Sequence, residues 1–278
     1  MTNRAYFPAS THLFAMAGPD ARDFLHRLTT THVRELAPGD SRPGFFLNSQ
    51  GKIRAAFRVS CVAPDSFWIE VDAGKSGVWK DSLLKVVDEF TFAEKYTLTE
   101  NREWTNVWIL GTFDPTWSDP SLVVFREKNV THLWGPRSTI EKIRADRSIP
   151  KLSEEEFERA RILALLPRVD HEITPDVNPL EIGLRETVAE QKGCYPGQEV
   201  IEKIISLGSP AKRLALVRGT GAKPALGPSD SGSLTSIASD AHDGWVGLAV
   251  LRKTAAVIGK KIHFATSELQ VERIADEN

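Results

Sequence analysis

Cysteine is scarce in this sequence of 278 residues, in which Cys61 and Cys194 are the only two. They lie far apart, neither belongs to a Cys-x-x-Cys pair, and no His-x-x-x-His pair accompanies them. The sequence therefore predicts no structural zinc site and no other metal centre. Reduced thiols, typical of a cytosol-like compartment, are the expected state, with Cys61 serving in packing.

Long apolar runs are also missing. No window approaches 18 uninterrupted apolar residues, and residues 1–10 lack the charged start and apolar stretch of a secretory signal. A formal charge of −2, with 41% hydrophobic and 26% charged residues, describes an ordinary globular protein rather than a general nucleic-acid binder. We expect a soluble, cytoplasmic protein with no membrane or nucleic-acid partner.

Several catalytic signatures are absent as well. Neither Gly-x-Gly-x-x-Gly nor Gly-x-x-x-x-Gly-Lys-Ser/Thr occurs, which removes the strongest arguments for dinucleotide or nucleoside triphosphate binding. The seven histidines are scattered, and none stands beside a serine in a nucleophile elbow. Serine hydrolase chemistry is therefore unsupported.

Hydrophobic periodicity predicts a mixed α+β fold for the first three quarters of the chain. An opening helix carries Phe24, Leu25 and Leu28 on one face, and a second helix follows the spacing from Trp79 to Phe90. Capping boxes at Ser138 and Ser153 predict two further short helices. Strands are predicted at 44–47, 53–62, 67–71, 91–99, 104–110, 122–125 and 130–134.

The sequence pattern changes after Gly208. Strand-like runs at 214–217, 245–251, 261–264 and 269–274 are separated by glycine, proline and serine turns, and no long helical period remains. A small β-barrel or sandwich is therefore expected there. We place the domain boundary at this glycine, with an α+β core over residues 1–207 and a β-barrel domain over residues 208–278.

The most informative stretch is the octapeptide Lys-Gly-Cys-Tyr-Pro-Gly-Gln-Glu at residues 192–199. An apolar helical period follows it and ends at Gly208, and Pro196 suits the first position of that helix. Cys194 would then lie just outside a helix N-terminus, where unpaired amides and the neighbouring Lys192 favour a thiolate. The alternative is a small buried cysteine in a glycine-rich turn.

A group of basic residues begins in this motif and continues after it. Within 27 positions that hold only two acidic residues, the sequence has five basic residues: Lys192, Lys203, Lys212, Arg213 and Arg218. Such a group is either a solvated face or an anion site in which cationic side chains and helix N-terminal amides hold carboxylates.

The octapeptide resembles the signature of the YgfZ family of folate-binding proteins, relatives of the glycine cleavage aminomethyltransferase (T-protein). Further segments are similar to the family at residues 18–25, 46–52, 173–181, 208–213 and 247–249. The resemblance implies an intertwined α+β folate-binding core closed by a C-terminal β-barrel. It also implies that the protein binds tetrahydrofolate, or a one-carbon derivative of it, and assists the assembly or repair of iron–sulfur clusters in client proteins.

The resemblance also implies a set of site residues. Cys194 and Lys192 would be the reactive pair at the mouth of the folate cavity, with Tyr195 beside them and Gly197 allowing close backbone approach. The remaining folate-binding candidates are Gln50 in the Gln-Gly turn, Glu181 facing the pterin edge, Gln198 and Glu199 in the first helical turn, and Lys203 and Arg213 for the glutamate tail.

Two positions depart from the aminomethyltransferases. This chain has Ala55-Ala56 where those enzymes carry a carboxylate that activates the folate amine, and Leu163 where they show a glutamate. The leading hypothesis is therefore a folate-dependent accessory factor for iron–sulfur proteins. A folate-dependent aminomethyl or other one-carbon transferase is the alternative, and a folate-binding scaffold without chemistry is a third possibility.

Overall fold

The computed structural model describes residues 5–110, 119, 121–127, 130–146, 149–240, 244–264 and 267–276. These residues fall into two compact units. The first comprises the described residues of Met1–Phe46, Ala55–Ser153 and Gln191–Cys194, and the second those of Leu47–Arg54, Glu154–Glu190 and Tyr195–Asn278. The domain boundary proposed at residue 208 stays a prediction.

The strands, numbered along the chain, are β1 (Ala5–Phe7), β2 (Thr11–Ala17), β3 (Ser41–Leu47), β4 (Ile53–Ala63), β5 (Ser66–Asp72), β6 (Thr97–Asn101), β7 (Trp104–Leu110), β8 (Val123–Glu127), β9 (Val130–Pro136), β10 (Lys212–Thr220), β11 (Gly227–Ser229), β12 (Gly232–Ser239), β13 (Gly244–Arg252), β14 (Lys261–Phe264) and β15 (Ser267–Ile274). The α-helices are α1 (Ala21–Leu28), α2 (Val78–Phe90), α3 (Arg137–Ala145), α4 (Glu154–Leu163) and α5 (Gln198–Ser206). Three short 3₁₀ helices cover Val33–Glu35, Pro179–Ile182 and Arg185–Thr187.

The first unit contains two sheets. One has the order β3-β4-β5-β2-β6, and its β3–β4 turn belongs to the second unit. Helices α1 and α2 pack against β5, whose Phe67, Ile69 and Val71 are fully buried at alternate positions. The other sheet has the order β1-β7-β9-β8, and α3 packs on its central strands through the buried Ile140.

A buried carboxylate lies in this first unit. Glu70 on β5 accepts hydrogen bonds from Trp134 Nε1 at 2.8 Å, His132 Nδ1 at 3.1 Å and Asn106 Nδ2 at 3.2 Å. Burial opposes its ionisation, but the charges of His132 and Arg58 and the bond from Trp134 outweigh burial and lower the Glu70 pKa. The strands that carry these groups are thereby tied together by an ionised side chain.

The second unit contains a six-stranded antiparallel sheet with the order β11-β12-β13-β10-β15-β14. Its edge strands β11 and β14 contact each other, so the sheet curls. Trp245, the single tryptophan of this unit, is fully buried beside Gly219, where a Cβ would lie 2.2 Å from its ring. Helix α4 packs on β12 and β13.

Some predicted elements are wrong. The strand expected over 91–99 begins only at Thr97, because the Glu94 carboxylate accepts the N–H groups of Phe92 and Ala93 and forms a local turn. Helix α3 begins at Arg137, so Ser138 lies inside it rather than at its cap. Strands β1, β2, β11 and β12 had no predicted counterpart.

Candidate functional site

The Lys192–Glu199 segment exposes its cysteine. The Cys194 thiol is free and exposed, whereas Cys61 is free and buried. Helix α5 begins at Gln198 with Gly197 as its N-cap, so Pro196 precedes the helix instead of opening it, and that prediction is wrong. The physical reason is the left-handed φ of +81° at Gly197, which turns the chain before the helix starts. The predicted end is confirmed, since Gly208 follows the C-cap Leu207 with a φ of +81°.

Within the first unit, Lys192 is held by His26 at the end of α1. Its ammonium donates to the main-chain carbonyl of His26, and the imidazole Nε2 of His26 donates to the carbonyl of Lys192 at 2.7 Å. Both side chains are buried, at 5% and 3% exposure. The lysine is therefore buried and fixed two residues before the exposed thiol, not free in solvent.

Burial lowers the pKa of both side chains. Loss of water lowers the Lys192 pKa to about 8, and the nearby Arg34 acts in the same direction, whereas an ionised Cys194 raises it. The His26 pKa is also lowered, chiefly by burial, with further contributions from Lys192, Arg34 and His32. At neutral pH the imidazole is therefore neutral, with its proton on Nε2.

In the second unit, the Gln-Gly turn packs on the start of α5. The Asn48 side chain accepts the N–H groups of Gln50 and Lys52, both at 2.9 Å, and shapes the turn. A Cβ on Gly197 would lie 2.4 Å from the Asn48 carbonyl oxygen, and a Cβ on Gly51 would touch Val200 at 3.2 Å. The predicted turn residue Gln50 is exposed.

Glu181 lies on the 3₁₀ helix that starts after Asn178. Asn178 and Glu181 form a complete capping box: the Asn178 side chain accepts the Glu181 N–H, and Glu181 Oε2 accepts the Asn178 N–H at 3.1 Å. The same oxygen accepts the Lys52 ammonium at 3.0 Å. One carboxylate of the predicted folate site thus joins the Gln-Gly turn to this helix.

The other residues of the motif lie on or before α5. Tyr195 is buried, and burial together with the charge of Glu202 raises its pKa to about 12, so its hydroxyl stays protonated. Gln198 donates to Glu202 one turn later at 2.5 Å, while Glu199 and Lys203 are exposed. Glu199 and Lys203 are four residues apart and share one face of α5, whereas Tyr195 precedes the helix.

Arg213 lines a cavity of about 200 Å³ in the second unit. Its walls combine apolar side chains with two arginines and an aspartate: Leu180, Ile204, Ile205, Leu214, Arg185, Arg213 and Asp276. Arg185 and Asp276 were not predicted, because nothing in their local sequence marks them. The other predicted basic residues are dispersed, with Arg218 paired to Glu272 at 2.5 Å and Lys212 exposed.

Two features are absent from the described ranges. They hold no group of three or more histidine, cysteine, aspartate or glutamate side chains arranged for a metal ion. No helix in that part of the chain is long and apolar enough to cross a membrane.

Comparison with known proteins adds relatives at low identity. No family model matches the chain. The mitochondrial iron–sulfur cluster assembly factor IBA57 of Mus musculus is 27% identical over 292 residues, which cover 93% of this chain and 80% of that protein. Its homologue from Phaeosphaeria nodorum is 24% identical over 74% of this chain and 53% of its own length. A chloroplastic protein of Arabidopsis thaliana is 28% identical over 134 residues, which cover 46% of this chain and only 31% of that protein.

A solved structure shows the fold. Glycine cleavage system aminomethyltransferase T from Bartonella henselae matches with a TM-score of 0.80 at 17% identity, over 98% of this chain and 86% of that one. The predicted fold class, an α+β core with a C-terminal β-barrel, is confirmed, with the C-terminal sheet curled into a half-barrel. Together with the two assembly-factor relatives, this match confirms the resemblance that the octapeptide predicted: the chain has the aminomethyltransferase fold and resembles the YgfZ family.

Proposed function

We propose that this chain is a tetrahydrofolate-binding accessory protein for the assembly or repair of iron–sulfur clusters, and that the Cys194 thiol takes part. The observation that carries the proposal is an exposed thiol on a segment fixed by a buried lysine two residues earlier. Two relatives named as iron–sulfur cluster assembly factors support the same assignment.

The chemistry available to Cys194 is thiol exchange. Its thiolate attacks one sulfur of a partner disulfide, a new sulfur–sulfur bond forms, and the other partner sulfur leaves as a thiolate. The Lys192 ammonium stabilises negative charge near this sulfur, because the two charges interact favourably in a partly desolvated setting. Clients or assembly proteins with an accessible disulfide are the partners that fit this reaction.

The second unit offers residues that suit a folate. Both hydrogen bonds of the Glu181 carboxylate run to Oε2, which leaves Oε1 to accept an N–H group of a pterin. Gln50 supplies an exposed amide, Gly197 allows close backbone approach, and the protonated Tyr195 hydroxyl is a donor. The cavity with Arg213 joins apolar walls to a cation, as the aminobenzoyl-glutamate part requires.

Bound tetrahydrofolate would supply nitrogen atoms that accept or release a one-carbon unit. The residues of this chain would bind and orient it: Glu181 and Gln50 at the pterin, and Arg213 with Lys203 at the glutamate tail. We place the protein in the cytoplasm, as its reduced cysteines predict.

Complementation tests the role of the thiol. In a strain that lacks the protein, we expect Cys194→Ala to fail to restore iron–sulfur enzyme activity, while Cys61→Ala, which removes the buried thiol, restores it. Full restoration by Cys194→Ala would remove the thiol from the mechanism. Calorimetry tests the ligand: the wild type should bind tetrahydrofolate, and a wild type that does not bind it rules out the folate part.

A one-carbon transferase is the second candidate, and the fold it shares with aminomethyltransferase T favours it. Ala55 and Ala56 are buried on β4 and provide no general base where those enzymes carry a carboxylate. Turnover of an aminomethyl carrier protein to methylene-tetrahydrofolate by the purified chain would place this candidate first.

A further inference from the structure

His26 forms hydrogen bonds with Lys192 through both its main chain and its side chain. The His26 carbonyl lies in the last turn of α1, where helical carbonyls lack an intrahelical partner. The N–H of Thr30, which would otherwise reach it, bonds to Phe45 instead, and the Lys192 ammonium takes its place. The imidazole then closes the ring by donating to the Lys192 carbonyl.

The second bond requires one tautomer of the imidazole. His26 Nδ1 accepts the backbone N–H of Arg34 at 3.4 Å, so the proton must lie on Nε2, where it meets the Lys192 carbonyl at 2.7 Å. A second proton on Nδ1 would face that N–H group. Protonation of His26 is also opposed by its basic neighbours Lys192, Arg34 and His32. The His32 ring lies edge-on, with its centroid 4.7 Å from that of His26.

Two carboxylates pair with these basic neighbours. Asp23 pairs with Arg34, and Glu35 lies 3.5 Å from His32 Nε2. Both are more than half exposed, so solvent screens them, whereas His26 and Lys192 are buried. The contact between the two buried residues is therefore the fixed element of this region.

We infer that His26 is the positioning residue of the reactive segment: its neutral imidazole fixes the Lys192 main chain, and so places the ammonium beside Cys194. This inference deepens the role proposed above for Cys194 and requires no folate. His26 does not touch the reacting sulfur, and it acts only through Lys192.

Two amide variants test the inference. His26→Gln carries an N–H group at about the reach of Nε2 and keeps the bond to the Lys192 carbonyl, whereas His26→Asn is one methylene shorter and loses it. The measurement is the rate of Cys194 alkylation by iodoacetamide from pH 6 to 9 on the purified full chain. At pH 7 we expect His26→Asn to react about 3–10-fold more slowly than the wild type and His26→Gln to stay within about twofold.

A double variant separates positioning from general loosening of the fold. Because His26 acts through Lys192, His26→Asn added to Lys192→Met should lower the rate no further than Lys192→Met alone. Thermal unfolding of each variant shows that the compared proteins are folded. Equal rates for folded His26→Asn and wild type, or additive effects in the double variant, would overturn the inference.

The result is distinguishable from failure of the proposed function. If Cys194→Ala restores iron–sulfur enzyme activity in full, the cellular role of the thiol is lost. The alkylation rates still decide whether His26 places Lys192.

Discussion

Gly197 packs directly on Gly51: a Cβ added at residue 197 would lie 3.0 Å from the Gly51 Cα. Both glycines have a positive φ, +81° and +72°. The atoms in the way are backbone, which cannot rotate aside as a side chain would. The glycine before the Gln-Glu pair therefore sets how closely the start of α5 approaches the Gln-Gly turn.

Replacing this glycine should destabilise the protein. We expect Gly197→Ala to lower the free energy of unfolding by about 2–4 kcal/mol, since a positive φ and a backbone overlap act together. Gly193→Ala is the matched control: its φ is +99°, but a Cβ there meets nothing within 4 Å. The control should cost only about 1 kcal/mol. Urea unfolding measures both, and equal losses would contradict the packing argument.

The two thiols should differ sharply in accessibility. Cys61 is fully buried, with its Sγ 3.2 Å from the Ala63 carbonyl and 3.4 Å from the Arg22 guanidinium. Titration with a thiol reagent should count one reactive cysteine per native chain and two after denaturation. Cys194→Ser should leave none in the native state. Two fast thiols in the native wild type would show that the region of Cys61 opens.

The buried Glu70 should make stability depend on pH. Its pKa is lowered from the ordinary value of 4.5, so its stabilising contribution is complete above that pH and is lost as the pH falls through the folded pKa. At pH 7 we expect Glu70→Gln to cost about 3 kcal/mol, because the donors around it lose their anionic acceptor. The difference from wild type in urea unfolding should shrink below pH 4.5.

His132 also contributes to the pH dependence, and a variant of one surface glutamate serves as the control. Burial lowers the His132 pKa from 6.5 and Glu70 opposes this shift, so the contribution of His132 falls below that pH in the wild type and falls further in Glu70→Gln, where the opposition is gone. Glu103→Gln changes an exposed residue and should leave the curve unchanged. A constant gap between Glu70→Gln and wild type down to pH 3 would mean that Glu70 is not ionised in the native state.

Salt should weaken folate binding through Arg213. If this arginine pairs with the glutamate tail, Arg213→Gln should lower the affinity for tetrahydrofolate about tenfold and flatten its salt dependence. Calorimetry at low and high salt measures both. Lys212→Gln, a change at the exposed neighbour, should keep the wild-type affinity. Identical binding by Arg213→Gln and wild type would remove the tail contact from the cavity.

Local patterns predicted part of the fold. Strands β7 and β14 have the predicted bounds, because each is a run of strand-forming residues between clear turn signals. Strand β2 was missed although it lies between β5 and β6. Its residues Thr11–Ala17 mix helix-forming and strand-forming types, so only pairing with neighbours decides their conformation.

The same limit applies to the site. The octapeptide marks Cys194 and Lys192 because their neighbours in sequence are unusual. His26 could not be found that way, since it lies 166 positions from Lys192 and looks like any residue of an amphipathic helix. Gly51 and Gly197 likewise gain their meaning only when the chain brings the two turns together.

The placement of Trp245 has a practical consequence for watching this protein unfold. All the other tryptophans lie within the sequence ranges of the first unit, so indole emission is dominated by that unit. A Trp245→Phe chain would make fluorescence a selective optical reporter of the first unit, while circular dichroism continues to sense both. Disagreement between the two signals would reveal whether the units melt as one cooperative body or in succession.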